Sequence, residues 1–121
     1  MNSKTLTGPF SAYHSNRSTQ LDDELIRVDR GTPCGEYMRR FWHPVAMSSE
    51  LTDVPHATRI LGEDLVVFRD GSGRVGVLES RCCHRGASLE FGKVRERGIQ
   101  CCYHGWHFDV DGSILSTPAE P

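Results

Sequence analysis

Four of the five cysteines and three of the six histidines of this 121-residue chain lie between Arg81 and Asp109. They form two short clusters, Cys82-Cys83-His84-Arg85-Gly86 and Cys101-Cys102-Tyr103-His104-Gly105. Cys82 and His84 read C-x-H, and Cys101 and His104 read C-x-x-H, with sixteen residues between His84 and Cys101. Cys102 and His104 make a second C-x-H, so spacing alone leaves the register of the second cluster open. Two sulfur and two nitrogen donors on paired loops can hold a metal centre, and the remaining chain must fold so that the loops meet. A disulfide framework usually spreads its cysteines. Adjacent pairs beside histidines suit metal chemistry in a reducing cytosol instead. The chain reads as a cytoplasmic metalloprotein.

Mixed thiol and imidazole ligation excludes the hard cations, which take oxygen. Structural zinc, held tetrahedrally by Cys82, His84, Cys101 and His104, is one solution. A 2Fe–2S cluster with two cysteines on one iron and two histidines on the other is the second. Glycine closely follows each histidine, at Gly86 and Gly105, and lets main-chain N–H groups approach the cluster sulfurs. That favours the cluster, with the zinc module as the lesser alternative.

The rest of the chain is sized for one domain. A formal net charge of −2 argues against a nucleic-acid binder. The basic residues Arg81, Arg85, Lys93, Arg95 and Arg97 are offset by Glu79, Glu90, Glu96 and Asp109, and the mixture reads as a solvated surface. No apolar run approaches the roughly eighteen residues of a membrane span, and the N-terminus lacks the apolar core of a secretory signal.

Residues 1–30 read as a flexible lead, with a weak ordered segment starting near Leu21. Thr32 is placed to cap a helix with Pro33 at its first position. Tyr37, Met38, Phe41 and Trp42 follow at helical spacing as a core-packing stripe, leaving Glu36, Arg39 and Arg40 to water. Pro44 ends that helix. Pro44–Met47, Thr58–Leu61, Leu65–Arg69 and Arg74–Glu79 are strand candidates, with Val75 and Val77 on one face and Gly76 and Leu78 on the other. Asp111-Gly112 predicts a type I′ hairpin turn between Trp106–Val110 and Ser113–Leu115. No internal repeat stands out. Short strands joined by glycine turns point to an antiparallel sandwich or small barrel behind a short N-terminal helix. Outside the clusters, His43 reads as structural, His14 and His56 as exposed, and His107 as a strand residue pointing away from the metal. Cys34 reads as a packing residue, and Trp106 as core that also shields the site.

Cys82-x-His84-Arg85-Gly86-Ala87 with Cys101-x-Tyr103-His104-Gly105-Trp106 resembles the Rieske signature of ring-hydroxylating, non-haem iron oxygenases. The segments 31–45 and 61–69 are similar to the lead into the Rieske domain of the phthalate 4,5-dioxygenase type. The resemblance implies a β-sheet Rieske 2Fe–2S domain over 31–121. Cys82 and Cys101 would bind one iron, and His84 and His104 the other, near the surface. The family pattern selects Cys101, which makes Cys83 and Cys102 non-ligands at positions often occupied by other residues. The disulfide of respiratory Rieske proteins would need cysteines where Ala87 and Tyr103 stand; a Cys83–Cys102 bridge is a lesser alternative.

The implied function is one-electron transfer from a reductase or ferredoxin to a mononuclear iron in a catalytic domain, in a full-length homotrimer. The implied potential lies at the lower end of the Rieske range, roughly −150 mV. No two-histidine, one-carboxylate set for that iron is visible here. The chain is therefore expected to be the electron-transfer part of such an enzyme, without catalytic residues of its own. The alternative is a stand-alone Rieske ferredoxin, and the gene sequence beyond Pro121 would separate the two.

Overall fold

The computed structural model describes residues 21–121. Two antiparallel sheets carry the chain, as the strand pattern predicts. The first is a meander of β1 (His56–Ile60), β2 (Glu63–Arg69) and β3 (Val75–Glu79), in that order. The second runs β4 (Lys93–Val94), β5 (Ile99–Gln100), β6 (His107–Phe108) and β7 (Ile114–Ser116), again in sequence order. On β3 the expected alternation holds, with Val75 and Val77 exposed and Gly76 and Leu78 buried. Central β2 breaks alternation: Val66, Val67 and Phe68 are all buried, as a strand covered on both faces requires. Phe68 lies across from Gly76, and a Cβ there would stand 2.6 Å from its ring, so the bare α-carbon makes room for it.

The core joins the two sheets. Val66, Phe68 and Leu78 from the first meet Ile99 and Phe108 from the second, with Leu89 between. Each such side chain contributes roughly 1.5–3 kcal/mol when buried. Cys82 and Cys101 belong to the same cluster, so the two loops are anchored in the core through their cysteines.

Two hairpins share one turn geometry. In the β2–β3 turn, the Asp70 N–H donates to Arg74 C=O (2.9 Å) and the Gly73 N–H to Asp70 C=O (2.9 Å). In the β6–β7 turn, the Asp109 N–H donates to Ser113 C=O (2.8 Å) and the Gly112 N–H to Asp109 C=O (3.0 Å). Within the second turn only Gly112 has a positive φ, 86°. This is a three-residue loop with glycine in the left-handed position, not the two-residue type I′ turn expected from Asp111-Gly112.

The two aspartates that open these turns are buried and share Arg74, whose Nη2 lies 2.9 Å from Asp70 Oδ2 and 2.8 Å from Asp109 Oδ1. Arg97 adds a second pair to Asp109 (Nε–Oδ2 2.9 Å), and the Gly98 N–H donates to Asp70. Asp109 is thus a buried, paired carboxylate rather than part of a solvated charge cluster, while Arg97 reaches it from the exposed side. Burial alone would raise the Asp70 carboxyl, but the Ser72 hydroxyl, the Gly98 and Arg74 N–H groups and the Arg74 guanidinium hold it well below the usual carboxylate range. Arg97, the Val110 N–H and Arg74 hold Asp109 low as well, against burial.

Ahead of the sheets stand two short helices, α1 (Asp23–Ile26) and α2 (Pro33–Met38). Thr32 caps α2 through its side-chain oxygen, with Pro33 in the first turn, as predicted. The helix stops four residues short of Trp42, and the apolar stripe is not core. Tyr37 and Phe41 are more than half exposed and touch edge to face (5.2 Å), while Trp42 is fully exposed. The reason lies in Arg39, which is drawn inward rather than to water. Its guanidinium donates to Val28 C=O, Leu61 C=O and Glu63, so polar bonds rather than apolar burial dock the helix end.

Pro44–Met47 forms no strand. The following backbone is held by Arg69, which donates to Ser48 C=O (2.7 Å) and Leu51 C=O (3.4 Å) around a 3₁₀ turn at Ser48–Glu50. His14 lies outside the described residues. His56 opens β1 and is exposed, and His43 Nε2 pairs with Met38 C=O at 2.8 Å.

Candidate metal centre

Each metal-binding candidate loop is closed by the same pair of main-chain bonds. In the first, the Cys82 N–H donates to Ala87 C=O (2.8 Å) and the Gly86 N–H to Cys82 C=O (2.8 Å). In the second, the Cys101 N–H donates to Trp106 C=O (2.8 Å) and the Gly105 N–H to Cys101 C=O (3.2 Å). Both glycines sit four residues after their cysteine with left-handed φ, 74° and 80°, a conformation that side chains with a Cβ resist. The residue before each cysteine braces its loop. Arg81 Nη1 donates to Gly86 C=O (3.1 Å), and Gln100 Nε2 donates to Gly105 C=O (3.1 Å). Loop one leaves the end of β3 and is pinned behind by the Arg81–Ser88 bridge; loop two spans β5 and β6.

This skeleton brings together all four residues singled out above. Cys82 and Cys101 are 3% and 4% exposed, whereas Cys83 and Cys102 face solvent. None of the five cysteines is in a disulfide. His84 and His104 lie edge to face with ring centroids 4.7 Å apart. Their loops are equivalent, yet His84 stands two residues after its cysteine and His104 three, so the imidazoles leave the skeleton at different points.

Burial pushes the Cys82 thiol up. The His84 backbone N–H, bonded to it, works the other way, and the neighbouring Cys101 side chain adds to the rise. A thiol kept protonated in this way surrenders its proton when a cation binds.

Trp106 stacks flat on His84, with 4.6 Å between centroids and 7° between planes, and also packs on the core. His107 bonds through Nε2 to Arg97 C=O and takes no part in the site. The sequence reading missed the Arg81 and Gln100 braces and one further contact, Glu120 Oε1 at 2.9 Å from His84 Nε2. A sequence signal existed for the braced loops, because C-x-x-x-G occurs in both clusters. For Glu120 there was none.

Comparison with known proteins now bears on the site. The family description "Rieske [2Fe-2S] domain" matches residues 41–121. The chain belongs to the Rieske family. Its cofactor is a Rieske-type 2Fe–2S cluster. The tert-butanol monooxygenase / tert-amyl alcohol desaturase oxygenase subunit of Aquincola tertiaricarbonis is 62% identical over 120 residues, 94% of this chain and 26% of the relative. The phthalate 4,5-dioxygenase oxygenase subunit of Pseudomonas putida is 46% identical over 100 residues, 80% of this chain and 23% of the relative. Among solved structures, dicamba monooxygenase bound to dicamba superposes with a TM-score of 0.64 at 34% identity, over 68% of this chain and 26% of that one. The Rieske domain described here spans about a quarter of the length of these relatives.

The residues fit a binuclear cluster. The donors are a thiol pair buried in the core and an imidazole pair beside it, the set that a two-iron centre of this type takes. Among the described residues no helix is long and apolar enough to cross a membrane.

Proposed function

We propose that this Rieske domain carries single electrons through a cluster held by Cys82, His84, Cys101 and His104. It does so within a ring-hydroxylating oxygenase, where a reductase or ferredoxin supplies the electron and a mononuclear iron in a catalytic domain receives it. The observation that carries this reading is the seating of a buried thiol pair and an adjacent imidazole pair on two loops of one geometry. When bound, the cluster supplies one-electron redox chemistry, and its neutral histidines make it easier to reduce than an all-cysteine centre.

The chain's own residues provide the setting. Cys82 and Cys101, buried in the core, would bind one iron, and His84 and His104 the other. The His84 main-chain N–H favours the Cys82 thiolate, and N–H groups beside such sulfurs tune the potential of the centre. Trp106 covers one face of the His84 ring against water. Relatives named for tert-butanol and phthalate chemistry support an oxygenase setting. The family resemblance also supports a homotrimer for the full-length protein, and paired cysteines beside histidines suit a reducing cytosol.

Reduced-state EPR of cysteine variants tests the assignment. The purified protein should be red-brown and give a rhombic signal after dithionite reduction. Cys82→Ser or Cys101→Ser should abolish that signal, and Cys83→Ser or Cys102→Ser should leave it. The opposite order would refute the ligand register.

A further inference from the structure

A turn near the end of the described chain reaches both metal loops. Thr117-Pro118-Ala119-Glu120 closes with the Glu120 N–H donating to Thr117 C=O at 3.2 Å. Proline occupies its second position, and Ala119 in the third has φ 66°, in the left-handed region. That pattern belongs to type II turns, which normally take glycine there. A Cβ makes the conformation costly. Of the described non-glycine residues, only Ala119 and Leu61 adopt a positive φ.

The turn has two contacts. Pro118 lies over the second loop, where a Cβ on Gly105 would stand 3.6 Å from its Cγ. Glu120 reaches the first loop, with Oε1 2.9 Å from His84 Nε2. His84 is thereby held on its face by Trp106 and at its outer nitrogen by a carboxylate.

We propose that Glu120 is a positioning residue of the metal centre that also lowers its potential. The carboxylate accepts the Nε2–H of His84, which selects the tautomer leaving Nδ1 for iron and makes the imidazole a stronger donor. A negative charge beside the outer ligand opposes the arrival of an electron, so it favours the oxidised state. The inference rests on His84 being a ligand.

The experiment is a potentiometric titration of the cluster at pH 7, followed by its visible spectrum, on the whole chain. It compares wild type with Glu120→Gln, Glu120→Ala and Glu50→Gln, the last removing the same charge from the 3₁₀ turn at Ser48–Glu50. Both Glu120 variants should stay red-brown and favour the reduced state by about tenfold, or about 59 mV for one electron. Glu50→Gln should not shift. Should Glu120→Ala fail to fold, Glu120→Gln carries the test, because its amide oxygen keeps an acceptor and only the charge is lost. Glu120→Gln and wild type titrating together, both fully loaded, would overturn the inference and leave the ligand assignment standing. A wild type with no Rieske spectrum would overturn the ligand assignment first.

Discussion

Gly86 and Gly98 share a left-handed backbone, φ 74° and 69°, but not their surroundings. A Cβ on Gly86 would meet nothing within 4 Å, whereas one on Gly98 would stand 1.9 Å from Phe108 C=O. Gly86→Ala should therefore cost only the strain of its conformation, about 1–2 kcal/mol. Gly98→Ala must also push β5 from β6 and should cost more. Thermal melts of the two variants check this, and equal losses would contradict it. At this scale the sequence was most legible where chemistry names the residue. Cysteine and histidine in two clusters announced the site, and the glycines beside them announced close main-chain approach. The burial of Cys82 and Cys101 against exposed Cys83 and Cys102 is a tertiary fact that no spacing contains.

Among the elements, the strands of the first sheet were readable because their turns carry glycine and β3 alternates cleanly. The N-terminal helix was readable at its start, where capping is local, and misjudged at its end. Tyr37, Phe41 and Trp42 have helical spacing, but spacing cannot tell which face the fold covers, and here Arg39 makes the docking contacts. Two truncations separate those roles. Ile99→Ala empties a fully buried position on β5 two residues before Cys101, and should cost about 2–5 kcal/mol. Trp42→Ala, at a fully exposed residue, should stay within about 0.5 kcal/mol of wild type. Urea denaturation of both variants measures the difference; a large loss at Trp42 would restore the core-stripe reading. The paired turns were also present in the sequence, as D-x-x-G at Asp70–Gly73 and Asp109–Gly112. Their meaning appears only when Arg74 joins them.

For the molecule as a whole, the Asp70–Arg74–Asp109–Arg97 tie holds the turn ends of both sheets together, at the far end of β5 and β6 from the second loop. Both carboxyls titrate below their ordinary values in the folded state. The stability they contribute is complete above the unfolded pKa, near pH 4. It is lost as the pH falls from there through the folded values. The melting temperature should thus fall below about pH 4. Asp109→Asn should lower it at pH 7, where Arg74 and Arg97 lose a shared charged partner, and flatten the acid decline. A variant with the wild-type acid slope would remove this tie from the account.

The central claim is that one cluster joins two thiolates and two imidazoles across the matched loops. Its most direct test is pulsed EPR of the dithionite-reduced protein labelled with ¹⁵N-histidine. Two directly bonded histidine nitrogens are predicted, with one lost in each of His84→Cys and His104→Cys. A spectrum without any histidine nitrogen bonded to iron would contradict it.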